Sequence, residues 1–308
     1  MTAGEASGQA RVLARFNRNF IIETSDGTVR SAVARRKFSD AVCGDRIEWQ
    51  MAGNNSVVIT AILDRRSLLS RPDRRGRLKP VAANIDQIVI VNAPAPNGNS
   101  DTPPHYHFEL LDQYLVAAEN LTVDAVIVVN KSDLLDEQGR EHTRRLFACY
   151  QALDYPFLMT STRDDSGMTA LIEQLRDKTS IFVGESGTGK SSLIHNLLPD
   201  QDIRTGHISE LSGHGRHTTT TTMLYHLPLG GHLIDSPGVR EYTLGHINSE
   251  MLLNGFREFA ALHGQCRYRN CRHVGEAGCH AQDAAAAGVI SERRLQSYRR
   301  LQGRLAND

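Results

Sequence analysis

Nowhere does the 308-residue chain hold an uninterrupted apolar run near the roughly 18 residues that a membrane helix needs. The opening residues, Met1 to Gln9, lack a basic start and an apolar stretch, so they read as a loose polar tail and not as a secretion leader. A soluble, cytoplasmic protein with no membrane partner is therefore expected. An even set of cysteines is lacking too: there are five, which cannot all pair in a disulfide framework. Three of them, Cys266, Cys271 and Cys279, crowd around His273, and in a reducing compartment such crowding points to metal. There is no internal repeat. Net charge is also absent, yet the balance hides a segregation. Residues 1–80 hold 15 Lys/Arg against 8 Asp/Glu, residues 81–250 hold 11 against 22, and residues 251–308 hold 9 against 5. Basic ends around an acidic middle suit a polyanionic partner.

The length exceeds what one average core holds, so two or three domains are expected. Val12 to Phe16, Phe20 to Thr24, Thr28 to Ala34, Asp45 to Gln50 and Val57 to Leu63 carry strand-type residues, with turn signals at Asp26-Gly27, Cys43-Gly44 and Gly53-Asn54-Asn55. Five short strands predict a small β-barrel, and the oligonucleotide-binding barrel is one such architecture. The basic segment Arg71 to Lys79 reads as a linker or an added contact surface. From Ala83 the texture changes to apolar strands (Ile85 to Val91, Asp124 to Val129, Pro156 to Thr160, Thr179 to Val183) alternating with helices (Phe108 to Glu119, Glu137 to Tyr150, Met168 to Leu175). That alternation predicts βαβ units and a parallel sheet. After Glu250 the chain turns helical and Cys/His-bearing, ending in an Arg-rich helix from Ser291 to Leu305. The expected divisions are 1–80 (barrel with basic linker), 81–245 (α/β nucleotide domain) and 246–308 (helical zinc-binding domain).

Gly184-Glu185-Ser186-Gly187-Thr188-Gly189-Lys190-Ser191 fits G-x-x-x-x-G-K-[ST] between an apolar strand and a helix that starts near Ser192. In such a loop backbone N–H groups wrap phosphates, the lysine reaches the outer phosphates and the serine hydroxyl ligates Mg²⁺. Asp235-Ser236-Pro237-Gly238 follows the strand Leu233-Ile234, where the second Mg²⁺-associated acid of a nucleotide hydrolase belongs, and the Gly238 N–H is placed to sense a γ-phosphate. Asn130-Lys131-Ser132-Asp133 ends the strand Val126 to Val129. An acid there accepts from the N1–H and 2-amino group of guanine, a donor pair that adenine lacks, so GTP and GDP are the expected ligands. Thr160-Ser161-Thr162, after the next strand, sits where a loop that supports the base through Ser161 and backbone N–H groups is due. Between phosphate loop and acid, Gly213 to His217 precedes five threonines; Thr219, with Thr218 and Thr220 close behind, is the expected Mg²⁺ ligand that engages only when the γ-phosphate is present. The residue after Gly238 is Val239, which cannot orient water. Slow intrinsic hydrolysis, stimulated by a partner, follows from that. His217 is the nearest substitute for the water-positioning group, or else an ordinary loop histidine.

Cys266, Cys271, His273 and Cys279 supply four ligands within a short span, enough for a closed, structural Zn²⁺ site. The guanine motif precedes the phosphate loop, an inverted order that looks like the circularly permuted GTPases. With the barrel before it and the Cys/His segment after it, the chain resembles the bacterial ribosome small subunit-dependent GTPase A family over almost its whole length after Ala10. The resemblance implies an oligonucleotide-type barrel, binding to the 30S subunit and its 16S rRNA, GTP hydrolysis stimulated by that subunit, and a role in its late maturation. A monomer is expected. Two residues depart from the usual pattern. Glu185 puts an acid in the phosphate loop, where a neutral residue is commoner, so modest affinity is expected; Gly187 stands where potassium-activated relatives have Asn, which leaves potassium dependence open. The alternative to an enzyme is an RNA-binding scaffold that keeps nucleotide as a structural or regulatory ligand, and stimulation of phosphate release by small subunits separates the two. Permutation also leads the strand ending at Asp235 toward the C-terminal segment, so coupling between nucleotide state and the zinc domain is expected.

Overall fold

Alternating strand residues decide the first structural unit. Val12, Phe20, Ile22, Ala32, Ile47, Trp49, Val57 and Ile59 are all buried in one cluster. They lie on β1 (Ser7–Phe16), β2 (Asn19–Thr24), β3 (Val29–Ala34), β4 (Arg46–Ala52) and β5 (Ser56–Ile62). β1 pairs antiparallel with both β2 and β4, β3 runs parallel to β5, and β4 pairs with β5, so the five strands close into a barrel. A register shift between Val12 and Ala14 lets β1 serve two neighbours. These coordinates, a computed structural model, describe residues 7–52, 56–73, 77–95, 104–198, 222–236, 247–262 and 264–305. His217, Thr218, Thr219, Thr220, Pro237, Gly238 and Val239 lie outside the described residues.

The basic segment Arg71 to Lys79, expected to be a linker or an added contact surface, spans the ends of two strands, β6 (Leu68–Pro72) and β7 (Leu78–Ala83), that pair as a hairpin. Its basic residues and prolines mask the strand signal, but Leu69, Ala82 and Ala83 are buried and supply the apolar contacts that a strand needs. The hairpin is fastened to the barrel by a Cys43 to Ala82 bridge and by Asn84, whose Nδ2 donates to Gly44 O at 3.0 Å. Arg65, just before the hairpin, grips buried Asp45 through two hydrogen bonds of 2.7 and 2.8 Å, so this cation serves the fold.

The second unit follows the predicted alternation closely: β8 (Gln87–Asn92), α1 (Phe108–Leu121), β9 (Asp124–Val129), α2 (Glu137–Gln151), β10 (Phe157–Met159), α3 (Met168–Leu175), β11 (Thr179–Val183), α4 (Lys190–Leu197), β12 (Met223–His226) and β13 (His232–Asp235). β10, β9, β8, β11 and β13 lie side by side and parallel, and β12 joins antiparallel to β13. Because the parallel strands are covered on both faces, they read as unbroken apolar runs. Ile88, Ile90 and Ile127 face α1 and α2, whereas Val89, Val126 and Val128 face α3 and α4. β12 also pairs with β1 at Ala14 and Met223, which makes one continuous sheet of barrel and nucleotide domain. Beside that bridge, His226 Nε2 lies 2.9 Å from Glu23 Oε1, and Arg11 meets His232.

The C-terminal part consists of α5 (Ser249–Asn254), a short 3₁₀ segment (Arg257–Leu262), α6 (His280–Ala286) and α7 (Glu292–Leu305). It packs on α1. A Cβ on Gly255 would collide with Val116, and the buried Arg294 donates to Asp112 of α1 and to Glu258 at 2.7 Å. Arg293 covers the Phe108 ring at 3.6 Å. Two arginines of α7 thus tie the C-terminal part to α1. No helix among the described residues is long and apolar enough to cross a membrane.

Candidate nucleotide site and metal centre

The phosphate loop starts where β11 ends, and its glycines are fixed by space as well as by backbone angle. Gly184 (φ 130°) and Gly189 (φ 89°) occupy conformations that side chains disfavour; a Cβ on the first would strike Val91 O and on the second the Asn130 amide. α4 begins at Lys190, so its first N–H groups and its positive dipole end point back toward the loop. Lys190 Nζ donates to the carbonyls of Gly184 (2.7 Å) and Glu185 (2.5 Å), and Thr188 Oγ1 donates to Glu185 O. Ser191 and Ser192 are exposed on the first turn of α4, while Ser186 and Gly187 form the open crest of the loop.

The guanine motif meets this loop directly, although 54 positions separate Asn130 from Gly184. Asn130 Nδ2 donates to Thr188 O at 3.0 Å, and Lys131 Nζ donates to Gly187 O at 2.7 Å. Lys131 adopts φ 59°, a turn that aims its side chain over the loop. Asp133 is held by the Ser161 hydroxyl at 2.8 Å and faces Arg163 at 3.7 Å. Ser161 in turn accepts the Arg163 N–H, and Ser132 N donates to Thr160 O. The strand ends of β8, β9, β10 and β11 therefore converge on one crevice, the ligand-binding end of a parallel sheet.

Asp235 closes β13 beside β11, and the neighbouring Ser236 hydroxyl lies 2.9 Å from Thr222 Oγ1. The end of the threonine run is thereby brought to the start of the Asp235 turn. Sequence reasoning missed two partners here. Thr160 donates to Asn130 Oδ1 at 3.2 Å, and His107, at the start of α1, lies 3.1 Å from Glu185. Thr160 was visible as a neighbour of Ser161; nothing in the sequence links His107 to the loop.

In the C-terminal part, ligand atoms of Cys266, Cys271, His273 and Cys279 all lie within 4.8 Å of one another. His273 Nδ1 stands 3.5, 3.8 and 3.5 Å from the sulfurs of Cys266, Cys271 and Cys279. Metal–ligand bonds of about 2.3 Å to sulfur and 2.0 Å to nitrogen place tetrahedral neighbours roughly 3.5–3.8 Å apart, so the donor set fits one structural zinc. Burial lowers the His273 imidazole below its ordinary value, favouring the neutral ring that can ligate. The Cys271 thiol is pushed up to about 12 by burial, a proton that a bound metal displaces. Outer contacts hold the ligand loop: Glu276 accepts N–H groups from Arg272 and Val274, and Arg299 of α7 donates to His273 O.

Residues 62–245 match the family model described as RsgA GTPase. A protein of Marinobacter nauticus named small ribosomal subunit biogenesis GTPase RsgA is 45% identical over 296 residues, covering 94% of this chain and 82% of its own. The equally named protein of Pseudomonas fluorescens SBW25 is 45% identical over 293 residues, with 94% and 83% covered. Among solved structures, YjeQ from Thermotoga maritima superposes with a TM-score of 0.75 at 30% identity, covering 98% of this chain and 99% of its own. YloQ, titled a circularly permuted GTPase, gives the same TM-score of 0.75 at 22% identity over 100% of this chain and 98% of its own, and shows the fold.

Proposed function

The chain belongs to the RsgA GTPase family, and from that premise we propose that it hydrolyses GTP to GDP in the biogenesis of the small ribosomal subunit. One observation carries the reading. The guanine motif and the phosphate loop, far apart in sequence and inverted in order, are locked together by Asn130 to Thr188 and Lys131 to Gly187 hydrogen bonds. A base and its phosphates need that distance to be fixed.

Within this reading Asp133 accepts from N1–H and the 2-amino group of guanine, oriented by Ser161. Asn130 and Lys131 frame the base, and Ser132 closes the turn. The loop Gly184, Glu185, Ser186, Gly187, Thr188 and Gly189 wraps the phosphates, with Lys190 on the outer phosphates and Ser192 at the helix start. Ser191 and Thr219 would hold Mg²⁺, with Asp235 beside it directly or through water, and the ion would supply positive charge against the phosphates. The Gly238 N–H is the candidate for sensing the γ-phosphate. His217 is the candidate for orienting the attacking water, since Val239 has no polar atom. Slow turnover alone and faster turnover on the 30S subunit follow.

The basic barrel and the C-terminal surface fit 16S rRNA as the partner, because phosphates bind cations irrespective of sequence. A monomer acting in the cytoplasm, divided near residues 80 and 245, completes the proposal. Phosphate release measured with and without purified 30S subunits tests it. Stimulation is expected, and its absence with GTP still bound would favour the scaffold alternative.

A further inference from the structure

Glu185 adds a negative charge to a loop whose purpose, on the reading above, is to bind a polyanion. At a phosphate loop each unit of negative charge opposes the ligand by Coulomb repulsion, only partly screened at this half-exposed position. The structure shows where that charge is directed. The Glu185 carboxylate lies 3.1 Å from His107 Nε2, with side-chain exposures of 46% and 55%. His107 is the N-cap residue of α1, and its ring meets His105 at 5.9 Å. Around the pair, Asn92, Leu110, Tyr114 and Gly184 form a recess, so the first turn of α1 lies against the start of the loop. Meanwhile the Glu185 backbone carbonyl receives Lys190. Main chain and side chain of Glu185 thus face different partners.

We propose that His107 is a positioning residue of the phosphate loop: by donating to Glu185 it holds the carboxylate turned toward α1 and away from the phosphates. The inference rests on the nucleotide site assigned above. It also gives the unusual acid a local counterpart on a different element, contributed by a residue 78 positions earlier in the chain.

The test uses the full-length protein with Mg²⁺ and the fluorescent probe mant-GDP, for wild type, His107→Ala, Glu185→Gln and the double variant. His107→Ala is expected to raise the Kd for mant-GDP about three- to fivefold, the range of one lost hydrogen bond. Glu185→Gln in the same chain should restore it to within about twofold of wild type. Guanosine, competed against mant-GDP, carries no phosphates and should bind all four proteins alike. His107→Ala without effect, no rescue by Glu185→Gln, or an equal loss for guanosine each overturns the inference. Failure of wild type to bind mant-GDP would overturn the site itself, and the inference with it.

Discussion

At the scale of single residues, Asp133 does not stand free: the Ser161 hydroxyl fixes one carboxylate oxygen and Arg163 approaches the other. A carboxylate so held offers two acceptors in a set direction, which suits a base with two adjacent donors. Asp133→Asn converts one acceptor into a donor, so affinity for GDP should fall at least tenfold. Xanthosine diphosphate, with a carbonyl where guanine has its amino group, should then bind better than GDP. Competition binding with the two nucleotides checks both statements. Ser161→Ala is milder. Loss of one hydrogen bond to a charged group, about 1.5 kcal/mol, should raise the GDP Kd roughly tenfold without changing which base is preferred.

Residues whose chemistry is local were legible in the sequence. The phosphate loop, with its flanking strand and helix, and the Cys266 to Cys279 set could be read because each site is built within one short segment. His107 and Thr160 were not legible as partners, since their roles depend on which strands and helices become neighbours. Whether the Arg-rich helix packs or faces a partner was open from the sequence; for Arg293 and Arg294 the answer is packing, since one guanidinium lies on Phe108 and the other is buried between Asp112 and Glu258.

Among the elements, α1 has an unusual number of duties. Its start faces the phosphate loop, Asp112 receives Arg294 and Tyr150, and Glu119 receives Arg257. The C-terminal part therefore leans on α1; the expected path from Asp235 runs through residues 237–246, which lie outside the described residues. Arg294→Met leaves two carboxylates buried without their cation, and about 3–5 kcal/mol of stability should be lost. Chemical denaturation followed by circular dichroism reads that loss.

Strands β12 and β13 meet the barrel through histidines, and this makes the junction sensitive to acid. Burial lowers His232 to about 4. Its folded pKa lies below the unfolded value near 6.5, so the unfolded chain binds the extra proton first as pH falls. Stability from this group is complete above about pH 6.5 and is lost between there and pH 4. Solvent screening at a half-buried site limits the effect to on the order of 1 kcal/mol. His232→Gln should remove that part of the pH dependence, as thermal melts between pH 4.5 and 7.5 will show. Strand positions were mostly visible from sequence, because buried parallel strands leave continuous apolar runs. The β6–β7 hairpin was hidden because Arg71, Pro72, Lys79 and Pro80 overlay only a few buried residues.

For the molecule as a whole, the zinc centre and the sheet contribute separately. In the ligand loop Tyr268 and Val274 are exposed and the ligands themselves face inward, so metal supplies much of its order. Removing zinc with a chelator should abolish protection of Cys266, Cys271 and Cys279 against thiol alkylation. Binding of mant-GDP should persist, since no ligand of the cluster belongs to the nucleotide crevice.

The pairing of β1 with β12 carries a different consequence. In a nucleotide domain standing alone, β12 would be the outermost strand, with one row of N–H and C=O groups facing water and its neighbours. Such a strand recruits other chains. In this molecule β1 of the barrel pairs with β12 at Ala14 and Met223 and so lies along that edge. By lying along this edge the barrel blocks one route to self-association. A fragment beginning at residue 84 should bind nucleotide yet form higher oligomers in light scattering, at concentrations where the full chain stays monodisperse.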